Sequence, residues 1–282
     1  MNGGTLRLAL LQFAPALRDP VANAARIAYA AGADVDLLVT PELSLTGYDL
    51  GDAVHDLAVP LAEGGTAPYG LNVRPDVLVG LVELGADGVP YNTAAYLHAG
   101  RVAFRHRKLY LPTYGMFDEG RYFGRGRRLR TVDAASGWRV GVLVCEDLWH
   151  PALPYLLAAQ GVHLLVVMAA APGRGAWEGV AQNQWASWDV WERIARVTAQ
   201  LYGVYVALAN RTGVEGGVTF AGGSMIVGPD GELLVRAGEA EEILTATLRI
   251  DEVLRARRPY AHTRDEDLAF VHGEIGRLLD AG

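Results

Sequence analysis

The stretch Val140-Gly141-Val142-Leu143-Val144-Cys145-Glu146-Asp147-Leu148-Trp149 decides how the rest of the chain is read. A short, β-branched apolar run of this kind reads as a fully buried strand, and in α/β sheets ligands gather just beyond the carboxyl ends of such strands. The run stops abruptly at the chain's single cysteine, which is followed by two carboxylates. A free cysteine is most often a small buried hydrophobe. A filler cysteine could sit anywhere along the run, however, whereas Cys145 occupies the residue where polarity switches and the strand must end. Any chemistry the chain performs is expected there.

At 282 residues and 51% hydrophobic the chain can bury a substantial core. No Pro-rich, Ser-rich or like-charged stretch marks a linker and no internal repeat is found, so one domain is expected over residues 1–282, with 251–282 as a charged, helical C-terminal tail. The net charge of -7 argues against a general phosphate-backbone binder, so no nucleic-acid partner is expected. One cysteine excludes an internal disulfide framework and any Cys-rich zinc site, and points to a reduced, cytoplasmic setting; separately, no metal or other cofactor is expected. Residues 6–13 are apolar, but the run is short, broken by Gln12 and preceded by no basic cluster. They read as a first strand rather than a signal peptide. No run approaches membrane-spanning length, so no membrane partner is expected.

Taken in order, residues 5–12 form a strand, Asp19 is an N-cap with Pro20 at the first helical position, and residues 21–31 form an alanine-rich helix. Residues 36–40 are a second buried strand, ending in Pro41-Glu42-Leu43-Ser44-Leu45-Thr46-Gly47-Tyr48. Glu42 thus stands just past a strand terminus, as Cys145 does, although an isolated loop glutamate is usually solvated. Residues 76–84, 91–98 and 101–106 read as strands, the last two joined at Ala99-Gly100 in a hairpin. Residues 108–123 are too rich in Pro, Gly and aromatics for a helix and form a structured loop. The basic cluster of Arg105, His106, Arg107, Lys108, Arg125, Arg127 and Arg128 suits a solvated or ion-paired surface, and only Lys108 stands at a strand's end. Residues 138–145 are the central strand, His150-Pro151 opens a helix to about residue 160, and residues 162–168 are another buried strand. A helix is expected over residues 177–202, with Trp185, Trp188 and Trp191 along roughly one side, a pattern more usual for core or interface than for a pocket. Gly203 ends it, residues 204–210 form a strand, a hairpin turns at Pro229-Asp230-Gly231, and residues 242–249 close the sheet.

Three strand ends therefore carry Glu42, Lys108 and Cys145. A thiol attacking an unactivated amide or nitrile carbon needs a base for its proton, a donor for the charge developing on the substrate heteroatom, and an acid for the leaving nitrogen. Glu42 and Lys108 can supply these without a histidine. Glu146 and Asp147, adjacent to the thiol in sequence, would by charge alone raise its pKa, so a nearby Lys108 must counteract them.

On these motifs the sequence resembles the nitrilase, or carbon-nitrogen hydrolase, superfamily, and the resemblance covers nearly the whole chain. The family's Glu motif matches Pro41 to Tyr48, its Lys motif Lys108-Leu109-Tyr110-Leu111-Pro112, and its Cys motif Gly141-Val142-Leu143-Val144-Cys145-Glu146-Asp147, in family order. The resemblance assigns Glu119, in Phe117-Asp118-Glu119-Gly120-Arg121-Tyr122-Phe123, to a second active-site glutamate that positions lysine and substrate. Asn210-Arg211-Thr212-Gly213 and Phe220-Ala221-Gly222-Gly223-Ser224 match late family signatures. It implies an α/β fold, a four-layer αββα sandwich, usually dimerised helix layer to helix layer, so a homodimer or higher homo-oligomer is expected.

Within the superfamily, Cys145 to Trp149 and Leu111 to Glu119 are most similar to glutaminase domains of glutamine-dependent NAD synthetases. No ATP-pyrophosphatase Ser-Gly-Gly motif follows, and Met168-Ala169-Ala170-Ala171-Pro172 stands where the glutaminase branch tends to carry a Ser-rich segment that helps hold glutamine. The expectation is a stand-alone amidase-type hydrolase of non-peptide C–N bonds, passing through a thioester at Cys145 and releasing ammonia or an amine. Glu42 would act as base and then acid, Lys108 as oxyanion stabiliser and Glu119 as positioning residue. The backbone N–H of Glu146 would be a second oxyanion donor, and Tyr114 and Trp149 would be walls of a pocket for a small amide or nitrile. Arg174 and Glu178 could pair the α-groups of glutamine if they turned inward. The alternatives are a glutaminase subunit feeding ammonia to a separate NAD synthetase, and an inactive binding or scaffold protein of the same fold.

Overall fold

A computed structural model describes residues 4–32, 34–175, 185–259, 262 and 264–281. The first half runs β1 (Thr5–Gln12), α1 (Pro20–Ala30), β2 (Leu37–Val39), α2 (Val54–Leu57), β3 (Val59–Pro60), β4 (Asp76–Leu84), β5 (Pro90–His98), β6 (Arg101–Arg107), α3 (Glu119–Tyr122) and β7 (Thr131–Asp133). It continues with β8 (Arg139–Val144), α4 (Ala152–Ala159), β9 (Leu164–Ala169), α5 (Ala186–Tyr202) and β10 (Tyr205–Asn210). The chain then forms β11 (Thr212–Glu215), β12 (Val218–Ala221), β13 (Met225–Val227), β14 (Leu233–Arg236), β15 (Glu242–Arg249), α6 (Ile250–Arg257) and α7 (Leu268–Ala281).

Among the described residues, one sheet runs β15-β1-β2-β4-β5-β6 with β3 beside β4, and a second runs β14-β13-β10-β9-β8-β7. The centres of both are parallel, β1-β2-β4 in the first and β8-β9-β10 in the second, with antiparallel strands outside them. Strand alternation builds the layers. In β1, Leu6, Leu8 and Leu10 point into the core between the sheets, while Ala9 and Leu11 turn outward against Ala24, Ile27 and Ala30 of α1. On the far side, Leu153 and Leu157 of α4 and Trp191, Ala195 and Ala199 of α5 cover the second sheet. The order helix, sheet, sheet, helix is the αββα sandwich implied by the sequence motifs. No helix among the described residues is long and apolar enough to cross a membrane.

Local signals act as their chemistry dictates. Asp19 caps α1 by accepting from the Ala22 N–H at 3.0 Å, with Pro20 at the first helical position. Ala99 and Gly100 both have positive φ, the two-residue turn that matches strand twist. Gly203 ends α5 at φ 56°.

The differences from expectation are local. Residues 145–149 form a 3-10 turn, so the helix expected from His150 begins at Ala152. The described part of the helix expected over residues 177–202 begins at Ala186, and residues 177–184 lie outside the described residues. Strand β15 does not close the sheet of its immediate predecessors; it crosses over and pairs with β1 along its whole length. The β11–β12 hairpin escapes the sequence reading because its strands are only four residues each and three glycines interrupt the pattern.

Gly80 of β4 shows how the fold sets the site. Its N–H donates to Ser44 Oγ at 3.0 Å and its carbonyl accepts from the Leu45 N–H at 2.9 Å, so the Glu42 turn lies directly on the strand. A methyl group there would collide with the backbone of Pro41, Glu42 and Leu43. Gly80→Ala is expected to cost about 1–3 kcal/mol, as overpacking does. Urea unfolding measures this, and an unchanged midpoint would show that the turn can retreat.

Candidate active site

The carboxyl ends of β2, β6 and β8 converge at one end of the sandwich. Lys108 follows β6, and its N–H is held by the Asn92 carbonyl of β5 at 2.9 Å. Its ammonium donates to Glu42 Oε1 and to Glu119 Oε1, both at 2.7 Å, with all three side chains essentially removed from solvent. Glu42 is fixed further: Oε1 also accepts from the Asn92 amide at 2.7 Å, and Oε2 accepts from the Ala170 N–H, just past β9, at 3.0 Å. One carboxylate thus joins the two sheets. Glu119 opens α3 and accepts from the Tyr48 hydroxyl through a short hydrogen bond, while its Oε2 has no partner among the described residues.

Cys145 follows β8 with φ 46°, a left-handed conformation uncommon for a residue with a side chain and a mark of a sharp turn at a functional strand end. The two acids after it are each engaged by other groups. Glu146 accepts from the Tyr114 hydroxyl at 2.7 Å. Asp147 is wholly buried and accepts from the backbone N–H groups of Leu109, Tyr110 and Val144. The carboxylates with the largest influence on the Cys145 thiol are Glu42 and then Glu119, not its two neighbours in sequence.

A cavity of about 470 Å³ opens over Cys145, with Tyr114, Phe117, Trp149, Ala171, Pro172 and Trp191 among its mostly apolar walls. Trp149 and Trp191 meet edge to face, their centroids 5.4 Å apart. Trp188 is instead a core residue, donating to the Ala221 carbonyl at 2.9 Å. Glu146 and Arg174 also line the cavity, whereas Glu178 lies outside the described residues. The structure thus groups Glu42, Lys108 and Glu119 beside the thiol and puts Tyr114, Trp149 and Glu146 around the cavity. Sequence reasoning missed the parts played by Tyr48, Asn92, the Ala170 N–H and Asp147. Tyr48 and Asp147 lie inside the quoted motifs, but Asn92 and Ala170 are placed only by pairing between distant strands.

Residues 7–258 match the family model described as Carbon-nitrogen hydrolase. The glutamine-dependent NAD(+) synthetase of Thermotoga maritima is 35% identical over an alignment covering 98% of this chain and 48% of that protein, so the chain spans about half its length. An (R)-stereoselective amidase from a Pseudomonas species is 31% identical, with 93% of this chain and 92% of that protein covered. Among solved structures, a carbon-nitrogen hydrolase from Helicobacter pylori G27 superposes with a TM-score of 0.81 at 24% identity, covering 97% of this chain and 99% of that one.

Burial and close charges shift Lys108, Cys145 and Glu119. Desolvation alone would push the Lys108 ammonium down, but Glu119 and Glu42 more than reverse this and hold it well above the ordinary lysine range. Burial, and then the charge of Glu42, push the Cys145 thiol up, so at rest it stays protonated. Burial likewise pushes Glu119 up to about 7, with Glu42 adding and Lys108 opposing. The sign follows by linkage. Between the ordinary glutamate value of 4.5 and about 7, the folded chain holds a proton on Glu119 that the unfolded chain has released. This group's contribution therefore makes stability fall as pH rises through that window. Glu119→Gln keeps an acceptor for Lys108 and Tyr48 but cannot titrate, so urea unfolding should show a less negative slope of stability with pH than wild type between pH about 5 and 7. Identical slopes would show that Glu119 titrates normally.

Proposed function

The chain belongs to the carbon-nitrogen hydrolase family, and on that premise we propose that it is an amidase-type hydrolase working through a thioester acyl-enzyme on Cys145. The observation that carries this reading is the Lys108 ammonium held 2.7 Å from both Glu42 and Glu119 beside a thiol at the base of an apolar cavity. Glu42 takes the thiol proton as sulfur attacks the amide carbon, because a thiol pushed up by burial needs a base at the moment of attack. Lys108 and the backbone N–H of Glu146, in the first turn after β8, stabilise the oxyanion. Glu42 returns the proton to nitrogen, the C–N bond breaks, and ammonia or an amine leaves a thioester behind. Glu42 then removes a proton from water attacking that thioester, and the thiol is regenerated as the acid departs. Glu119 fixes the lysine from the other side.

A second reading, a glutaminase supplying ammonia to an NAD synthetase, is favoured by Arg174 and Glu146 sharing the cavity, since together they offer partners to an α-carboxylate and an α-ammonium. The first reading ranks higher because the remaining walls named above are largely apolar and Glu146 is already engaged by Tyr114. Enclosing glutamine's α-groups without full pairing costs several kcal/mol, or orders of magnitude in binding.

Two experiments test this. Cys145→Ala should fold normally, since thiol and methyl differ little in volume, and should lose turnover, while iodoacetamide should inactivate wild type with one adduct because the chain holds one cysteine. Turnover surviving in the alanine variant would defeat the mechanism. Ammonia release should be faster from uncharged amides of equal or greater bulk than from L-glutamine at equal concentration. A clear preference for glutamine would put the second reading first.

A further inference from the structure

Asp147 is a buried carboxylate that the reaction above does not use. Its Oδ1 accepts from the N–H groups of Leu109 and Tyr110, both at 2.9 Å, and its Oδ2 accepts from the Val144 N–H at 3.1 Å and from His106 Nε2 at 3.0 Å. A carboxylate has about four lone-pair sites, and here each has a donor. The donors come from two sheets: Leu109 and Tyr110 directly follow Lys108 at the end of β6, and Val144 directly precedes Cys145 at the end of β8. His106, two residues before Lys108, is also wholly buried, and since a carboxylate can only accept, its Nε2 carries the proton. No other side chain among the described residues makes hydrogen bonds to backbone on both flanks of this pair.

We propose that Asp147, oriented by His106, is a positioning residue that sets the spacing between the Lys108 ammonium and the Cys145 thiol. This rests on the reading of Cys145 as nucleophile. The sharp turn at Cys145 has positive φ, and Val144 N–H to Asp147 closes it from within. The same carboxylate gathers the chain as it leaves β6, so lysine and thiol are referred to one rigid group rather than to two separately moving strand ends. Displacement of about 1 Å in such a pair can cost on the order of a hundredfold in rate.

Asp147→Asn keeps the shape but replaces one acceptor oxygen with an NH2 that faces donors. His106→Leu removes the donor behind the carboxylate, and His106→Gln restores an N–H near the Nε2 position. Three readouts are taken on each variant: the thermal midpoint, kcat and KM on the best amide, and the pH profile of Cys145 alkylation by iodoacetamide. The expected result is a kcat lowered by about a hundredfold in Asp147→Asn and roughly tenfold in His106→Leu, with KM little changed. Alkylation should move to higher pH in both, because Lys108 no longer stands where it lowers the thiol's pKa, and His106→Gln should recover most of both effects. A lower thermal midpoint with kcat and the alkylation profile unchanged would overturn the proposal. If Asp147→Asn does not fold, the two His106 variants decide by the same criteria. If wild type hydrolyses no amide, the functional reading fails, and the alkylation profiles alone decide whether Asp147 positions the pair: profiles matching wild type overturn it.

Discussion

The structure depends on keeping a lysine ammonium out of water between two carboxylates. Taking such ions out of water costs several kcal/mol each, and the attraction among them repays this only when geometry is good and the remaining lone pairs are satisfied. Glu42 meets that condition, with Asn92, Lys108 and the Ala170 N–H around it. Glu119 meets it on one oxygen and leaves the other without a partner among the described residues.

The same constraint explains why the two sheets must pack in one register. Lys108 is carried by β6, Asn92 by β5, Glu42 by the turn after β2, and Ala170 by the end of β9. A slip of one residue in any of these strands would send a polar group to the opposite face and bury an unpaired charge. Apolar packing between the sheets tolerates substitution of like volume, but the charged end does not. The cluster therefore contributes specificity of arrangement beyond whatever net stability it supplies.

Much of this was legible in the sequence because a strand that ends in a polar residue announces its own end. Cys145, Glu42 and Lys108 each follow an apolar or alternating run, and Asp19, Gly203 and the turn at Ala99-Gly100 carry local chemistry that leaves few choices. Glu119 could be placed only by resemblance to a motif, since its own segment reads as loop. Asn92 sits mid-strand with no local mark, and the Ala170 amide has no side-chain signature at all; both acquire meaning only through pairing with residues 50 and 128 positions away. The pairing of β15 with β1 was equally hidden, because which sheet a terminal strand joins is a tertiary choice that alternation cannot express.

The acids beside the thiol show how adjacency in sequence misleads about electrostatics. Read along the chain, Glu146 and Asp147 crowd the nucleophile with negative charge. In space, each charge is met by donors: a tyrosine hydroxyl for Glu146, and three backbone N–H groups with an imidazole for Asp147. A carboxylate matched in this way projects little field beyond its donors, and the donors of Asp147 sit on the two strand ends whose geometry matters most. The charge of Asp147 that threatened the thiol in the linear sequence thus becomes, through its four hydrogen bonds, the part that braces it.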